Sequence, residues 1–253
     1  PFMPFGFSGM FNAAALVFFA FIGFDAVTSA AEEVKNPRRD LPIGIIGSLV
    51  VCTVLYMVVA AIMTGIVPFE KFAGVDHPVS LALQYAGKNW VAGFIDAGAI
   101  TGMTTVILVM AFGQSRILFA MSRDGLLPKR LSTIHPRFAT PYFTTWVVGI
   151  VFASIAALVP LHVLAELINI GTLAAFTLIS VAVLVLRKTR PDLPRAFRCP
   201  GAPIVPLLSA ALCLFLMIFL KPFTWFAFLA WMAAGLVIYF GYARRRSHLH
   251  PKQ

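Results

Sequence analysis

The chain has 253 residues, of which 60% are hydrophobic and 12% are charged, and its mean hydropathy is +0.89. These values exclude an ordinary water-soluble domain, because such domains carry about twice that share of charged residues. The net charge of +10 suggests nucleic acid as a possible partner. The positions of the basic residues along the chain test that suggestion.

Apolar runs long enough to cross a bilayer recur along the chain. A span needs about 20 apolar residues in a helix, which satisfies its own backbone hydrogen bonds in lipid. Seven runs are predicted to span: Phe11–Val34, Ile43–Val67, Val91–Met121, Tyr142–Val159, Val163–Leu186, Ile204–Leu220 and Phe223–Ala243. The predicted fold is therefore all-α, a polytopic transmembrane helical bundle in contact with membrane lipid.

The basic residues concentrate in alternate loops. The loops after spans one, three and five, together with the tail, hold 16 of the 20 Lys and Arg, whereas the other loops hold three. The positive-inside rule places the former in the cytoplasm, so the chain is predicted to start outside the cell membrane and end inside. Topology accounts for the charge, and we expect no nucleic-acid partner. An outside start without a signal peptide predicts further spans before Pro1.

Catalytic chemistry has no support in the sequence. The three cysteines and five histidines are dispersed, and neither a phosphate-binding glycine loop nor a nucleophile elbow is present in the sequence. We expect no enzyme activity, no metal and no cofactor.

The first span carries a glycine and an acid at bilayer depth. Asp25 would cost about 2.5 to 3.5 kcal/mol at the centre of a bilayer, so it is predicted to face protein or an aqueous cavity. Gly23 weakens the helix by about 1 kcal/mol relative to alanine. These residues predict a break in the helix near Phe21 to Phe24, where freed carbonyls would bind a substrate ammonium. The alternative is that Gly23 is a packing notch and Asp25 a structural hydrogen-bonding residue.

Two long motifs resemble a known transporter family. FFAFIGFDAVTSAAEEVKNPRRDLPIGIIGSLV, residues 18–50, is similar to the sixth helix and following loop of permeases of the amino acid/polyamine/organocation superfamily, in its bacterial cationic amino acid transporter-like branch. GQSRILFAMSRDGLLPKRLSTIHPRFATP, residues 113–141, resembles the end of helix eight and its loop in the same family. Weaker similarity continues beyond them.

The resemblance implies a fold, a domain division and a function. The fold is the second half of a leucine-transporter-type 5+5 inverted repeat plus two C-terminal helices, so the chain corresponds to helices six to twelve. Residues 1–186 would form core helices six to ten, the first of them discontinuous, and residues 187–253 a loop, two peripheral helices and a basic tail. The implied function is a secondary amino acid permease that works by alternating access. A proton is the implied coupling ion.

The resemblance also implies the site residues. The carbonyls of Phe19, Ala20 and Ile22 would accept the substrate α-ammonium, and Gly23 would permit the unwound turn. The aromatic side chains of Phe21 and Phe24 would shape or close the cavity, with packing in the core as the alternative. Three roles stay open for Asp25: bonding across the break, favouring a cationic substrate, or moving protons.

The third span would supply a second wall. The resemblance gives Met103 and Thr104 the role of tuning substrate size, whereas the plainer reading of Thr104 is a hydroxyl bonded back to its own helix. Glu166 and Asn169 lie near the outer start of span five, where an interfacial position and a functional role both stay open. Residues 32–42 are predicted to be a cytoplasmic loop, because its two prolines disfavour a long helix beyond Asn36. The charges of this loop either lock an inner gate or are simply solvated, and both interpretations stay open. Phe69–Lys88 is predicted to be a partly helical external lid.

The substrate is expected among basic and small neutral amino acids. A channel or an amino-acid sensor remains the alternative class of protein. A channel would have a continuous polar pore face, and spans two, four, six and seven carry few polar residues. A sensor would bind the amino acid without flux.

Overall fold

The computed structural model describes residues 4–24, 28, 34–75, 77–193, 195 and 197–244. Within them lie eight α-helices: α1 (Gly6–Phe21), α2 (Pro37–Ile66), α3 (Pro78–Tyr85), α4 (Asn89–Arg123), α5 (Tyr142–Leu158), α6 (Leu161–Thr189), α7 (Ile204–Ile218) and α8 (Pro222–Ile238). Short 3-10 helices cover Phe69–Phe72 and Lys129–Ser132, and a π-helical turn, Tyr239–Ala243, extends α8. The all-α prediction is confirmed.

Among the described residues, four helices are long and apolar enough to cross a membrane: α2, α4, α6, and α8 with its π-helical turn, of 30, 35, 29 and 22 residues. The apolar helices α1, α5 and α7 are shorter, with 16, 17 and 15 residues. At 1.5 Å per residue they reach about 23 to 26 Å, less than the roughly 30 Å hydrocarbon core. Most of predicted span one beyond Phe24 lies outside the described residues.

The predicted loop up to Pro42 is wrong at its end, because α2 begins at Pro37. Asn36 precedes the helix, and its carbonyl accepts hydrogen bonds from the N–H groups of Arg39 and Asp40 at 3.1 and 2.9 Å. Pro37 occupies the first turn, where a missing N–H breaks no helical bond. Pro37 therefore begins a helix, and Pro42 lies inside that helix, where the sequence predicts a loop.

The buried core lies between α1, α6 and α7. Ala15 of α1, Ile170 and Leu173 of α6, and Cys213 and Met217 of α7 form one cluster. The indole Nε1 of Trp225 in α8 donates to the Met217 carbonyl at 3.1 Å, which ties α8 to the same core. This packing holds α1 beside α6 up to the point where α1 ends.

Large apolar side chains cover much of the outer surface. Trp90, Trp231 and Leu158 are 73, 79 and 82% exposed. Water would penalise such a surface, whereas lipid or further protein would accept it. The exposed pattern agrees with membrane-embedded helices.

Candidate functional site

The end of α1 forms the centre of the candidate site. The helix ends at Phe21, Ile22 has an extended backbone with ψ 129°, and Gly23 has φ +130°. Residues other than glycine rarely adopt that φ. The chain therefore leaves its helical path within the stretch where the sequence predicts a break, and Asp25 lies outside the described residues.

A cavity of about 240 Å³ lies against this turn. Its lining comes from the chain segment Ala20, Phe21, Ile22, Gly23 and Phe24, and from Ser48, Leu49, Cys52 and Tyr56 of α2. No charged side chain belongs to this lining among the described residues. The volume is close to the lower end of typical ligand cavities, about 300 Å³, so it suits a small ligand.

The carbonyls at the end of α1 already meet donors from the protein. The phenol of Tyr56 donates to the Ala20 carbonyl at 3.0 Å, and the N–H of Ile22 donates to the Phe19 carbonyl at 3.2 Å. A carbonyl oxygen has two lone pairs, so each retains capacity for a second donor. Tyr56 thereby fixes the end of α1 against α2.

Aromatic rings flank the turn on two sides. The ring of Phe21 meets Tyr56 edge-on at 5.2 Å between centroids, and the ring of Phe24 packs at 5.7 Å from Phe176 of α6. Phe176 also contacts Phe18 at 6.2 Å. The two predicted gating aromatics therefore contact different helices, Phe21 contacting α2 and Phe24 contacting α6.

Helix α4 reaches the turn through Met110. A Cβ built on Gly23 would lie 3.3 Å from the Met110 Cε. Met103, which is 59% exposed, and Thr104 do not line the cavity formed by the described residues. The Thr104 hydroxyl donates to the Ile100 carbonyl of its own helix at 2.9 Å, which is the plainer of its two predicted roles.

Asn169 of α6 anchors α1 ahead of its C-terminal end. Its side chain is fully buried, and its amide Nδ2 donates to the carbonyls of Ala15 and Leu16 at 2.9 and 3.3 Å. Its Oδ1 has no hydrogen-bond partner among the described residues. Asn169 is therefore a positioning residue for α1, which ends at the cavity.

Glu166 is buried and paired, where the sequence left an interfacial position open. Its Oε1 lies 2.7 Å from the Lys221 Nζ, and its Oε2 accepts a hydrogen bond of 2.7 Å from the Thr224 hydroxyl. Its side chain is 8% exposed, against 66% for Lys221. These contacts fasten α6 to the start of α8.

Three residues at the site, Tyr56, Met110 and Phe176, are not predicted from the sequence. A tyrosine inside an apolar span was the available signal for Tyr56, because a phenol hydroxyl in apolar surroundings normally has a hydrogen-bond partner. Met110 and Phe176 carry no such signal, since methionine and phenylalanine are ordinary lipid-facing or core residues in a membrane helix. Only the packing of α4 and α6 identifies them.

The arrangement provides a small apolar cavity with backbone oxygens at one end. Carbonyls at a helix C-terminus carry partial negative charge, which favours an ammonium group. Non-helical backbone at membrane depth persists only against protein or a water-filled cavity. In the described part of the chain, no group of three or more His, Cys, Asp or Glu side chains is placed to hold a metal ion.

Comparison with known proteins gives the family. Residues 1–240 match the family model described as amino acid permease. The chain belongs to the amino acid permease family. The family predicted from residues 18–50 and 113–141 is thereby confirmed, and its members are transporters, so the expectation of a non-enzyme agrees with the family.

Individual relatives carry different names. The chain is 65% identical to the branched-chain amino acid permease BcaP of Bacillus subtilis and 52% identical to the methylthioribose transporter of the same organism, each over 250 residues. Each alignment covers 99% of the chain and 54% of the relative. The chain is also 44% identical over 191 residues to the vacuolar cationic amino acid transporter 4 of Arabidopsis thaliana, covering 76% of the chain and 32% of that protein. The chain thus spans about half the length of its Bacillus relatives.

Proposed function

We propose that the chain forms part of a secondary amino acid transporter and supplies one wall of its substrate site at the end of α1. The observation that carries this proposal is the exit of the backbone from α1 at Gly23, beside a cavity of about 240 Å³. The substrate α-ammonium binds the carbonyl oxygens of Phe19, Ala20 and Ile22. Phe21 and Phe24 shape the cavity, and Asp25 is assigned a part in substrate binding.

The proposed substrate has a small apolar side chain. The sequence left basic and small neutral amino acids open. Ile22, Leu49 and Phe24 offer apolar contact to a small apolar side chain. The 65% identity to a branched-chain amino acid permease supports the same choice.

The proposed mechanism is alternating access in the cell membrane. The half-helix α1, held by Asn169, stays with α6 while the surrounding helices open the cavity to either side in turn. The proposed orientation places the basic tail in the cytoplasm. A proton gradient is the proposed driving force.

Uptake of radiolabelled leucine and arginine into proteoliposomes tests the proposal, with the full-length protein reconstituted. We expect leucine uptake that unlabelled valine suppresses, that excess arginine and methylthioribose leave unchanged, and that collapses when the proton gradient is removed. Binding of leucine without any uptake would identify a sensor. Arginine uptake faster than leucine uptake would overturn the proposed substrate class but retain the transporter.

A further inference from the structure

A basic pocket lies where α6 ends and α7 begins, away from the candidate site. It has a volume of about 520 Å³ and is lined by Arg187, Arg195, Arg198, Cys199, Gly201 and Ala202. The segment from Arg187 to Pro203 contains five basic residues and one acid, Asp192. In the described part of the chain, no carboxylate lies within ion-pair distance of the three lining arginines.

Two of the arginines also brace the connecting segment. The guanidinium of Arg195 donates to the carbonyls of Pro191 and Arg190 at 3.1 and 3.0 Å, and that of Arg187 donates to the Cys199 carbonyl at 3.1 Å. Bracing uses only part of their capacity, because each guanidinium has five N–H donors. No hydrogen bond of the Arg198 guanidinium is seen among the described residues. The pocket therefore combines three positive charges with unused donors.

An apolar groove continues from this pocket. The groove has a volume of about 390 Å³ and is lined by Leu184, Arg187, Lys188, Ala202, Pro203 and Leu207. Arg187 and Ala202 line both spaces, so the two are adjacent. A ligand that fits both spaces has an anionic end and an apolar end.

The position of the basic pocket relative to the membrane follows from helices α6 and α7. Arg187 and Lys188 lie in the last turn of α6, an apolar helix long enough to span the bilayer. Leu207 lies in the first turn of α7, another apolar helix. The pocket therefore lies at headgroup level and the groove faces the acyl chains, whichever side of the membrane this end occupies. Basic pockets between membrane helices bind anionic lipid headgroups.

We propose that this pocket and groove bind one anionic phospholipid. The phosphate receives hydrogen bonds from Arg187 and Arg198, Arg195 adds positive charge, and an acyl chain lies along Leu184, Pro203 and Leu207. Arginine suits this role because its planar guanidinium binds phosphate oxygens through two parallel donors. A bound lipid would brace the connection between α6 and α7.

Native mass spectrometry of the full-length protein tests this proposal. The protein is released from nanodiscs of phosphatidylcholine with a minor share of phosphatidylglycerol, and the retained lipids are counted. We expect preferential retention of phosphatidylglycerol. Each lost arginine charge weakens the attraction by about fivefold, so R187Q/R198Q is expected to lower the retained phosphatidylglycerol-to-phosphatidylcholine ratio by about 25-fold.

The controls separate this site from general surface charge and from misfolding. Arg130 is an exposed arginine outside the pocket, so R130Q is expected to leave the ratio unchanged. Arg198→Gln alone tests the site without removing a bracing hydrogen bond, with an expected loss of about fivefold. An equal loss in R130Q, or no preference for phosphatidylglycerol in the unaltered protein, would overturn the proposal.

Inorganic phosphate distinguishes a lipid from a free anion. It is titrated by calorimetry into the protein in nanodiscs of phosphatidylcholine alone. We expect no saturable binding at millimolar phosphate, because a free anion makes no contact with the groove at Leu184 and Leu207. Saturable phosphate binding that R198Q abolishes would assign the pocket to a soluble anion and refute the lipid.

Discussion

Gly23 adopts a backbone conformation that constrains which residue can stand there. Its φ is +130°, and a Cβ would lie 3.3 Å from the Met110 Cε. Gly23→Ala is therefore expected to lower stability by about 1 to 3 kcal/mol through backbone strain. We expect leucine uptake by the full-length protein to fall by at least tenfold, because the carbonyls at the end of α1 lose their position.

A glycine inside a regular helix provides the control for Gly23→Ala. Gly149 lies inside α5 with open space around its Cβ position, so Gly149→Ala is expected to be neutral or slightly stabilising. Adding Met110→Ala to Gly23→Ala should relieve the steric contact and leave the strain, so uptake stays low. Thermal melting and uptake are measured for each variant. Full recovery in the double variant would show that packing, and not the backbone turn, requires glycine.

Asn169 gives a second test at the level of one residue. Asn169→Asp keeps the shape of the side chain but removes the amide donor that Ala15 and Leu16 share. An ionised carboxylate would also face two carbonyl oxygens in a fully buried position. Losing a buried hydrogen bond costs about 1 to 3 kcal/mol, so we expect a clear fall in melting temperature together with impaired uptake.

The control for this variant is the exposed Asn89 at the first turn of α4. Asn89→Asp introduces the same chemical change where a helix N-terminus tolerates negative charge, so its melting temperature should stay the same or rise. If Asn169→Asp melts like the unaltered protein, Asn169 does not hold α1.

Single residues also show what the sequence could predict of the site. Gly23 was predictable because glycine in an apolar helix is a local signal. Tyr56 lies 36 positions beyond the Ala20 carbonyl that it meets, so only the packing of α2 on α1 brings them together. Met103 and Met110 are seven residues apart, nearly two turns, and so share a helix face. The sequence therefore indicated a face of α4, whereas depth along α4 depends on tertiary packing.

Helices α6 and α8 are joined by the contacts of Glu166 with Lys221 and Thr224, and the two sides of the ion pair differ in exposure. Lys221 is largely exposed and Glu166 is buried. Lys221→Gln is expected to destabilise more than Glu166→Gln, because it leaves a buried carboxylate without its cation. Glu166→Gln leaves an exposed ammonium that water can solvate, and should cost about 1 kcal/mol.

The double variant decides whether this asymmetry is real. Glu166→Gln/Lys221→Gln has no buried charge, so its melting temperature should lie near that of Glu166→Gln and above that of Lys221→Gln. Lys71→Gln, in the 3-10 helix Phe69–Phe72, serves as the control for loss of a lysine. Equal melting temperatures for Lys71→Gln and Lys221→Gln would mean that the pair contributes nothing to the joint between α6 and α8.

At the level of elements, hydropathy predicted where helices lie better than where they end. The predicted run Ile43–Val67 corresponds to α2, Pro37–Ile66, because apolar length marks the lipid-facing part of a helix and not its polar first turn. The prolines at 37 and 42 predict a helix boundary from sequence alone. A first-turn proline is compatible with a helix, and the sequence alone did not show on which side of Pro37 the helix would form.

At the scale of the whole molecule, the described residues that line the cavity come from α1, the turn that follows it, and α2. The chain spans 54% of the length of its Bacillus relatives, so the remaining part of such a permease is about as long as this chain. A transporter needs both walls around its substrate to change access from one side to the other.

We therefore expect residues 1–253 expressed alone to enter the membrane and to give no leucine uptake above that of empty vesicles. Co-expression with a separate polypeptide corresponding to the remaining part of the 65% identical relative should restore uptake, because the apolar faces of α2 and α4 would then be covered. Membrane fractionation verifies insertion, and radiolabelled leucine measures uptake. Gly23→Ala in the co-expressed pair is the control, since it should lower restored uptake by at least tenfold when uptake is normalised to the amount of protein in the membrane. Uptake by residues 1–253 alone would show that this chain encloses a complete site by itself or as an assembly of copies.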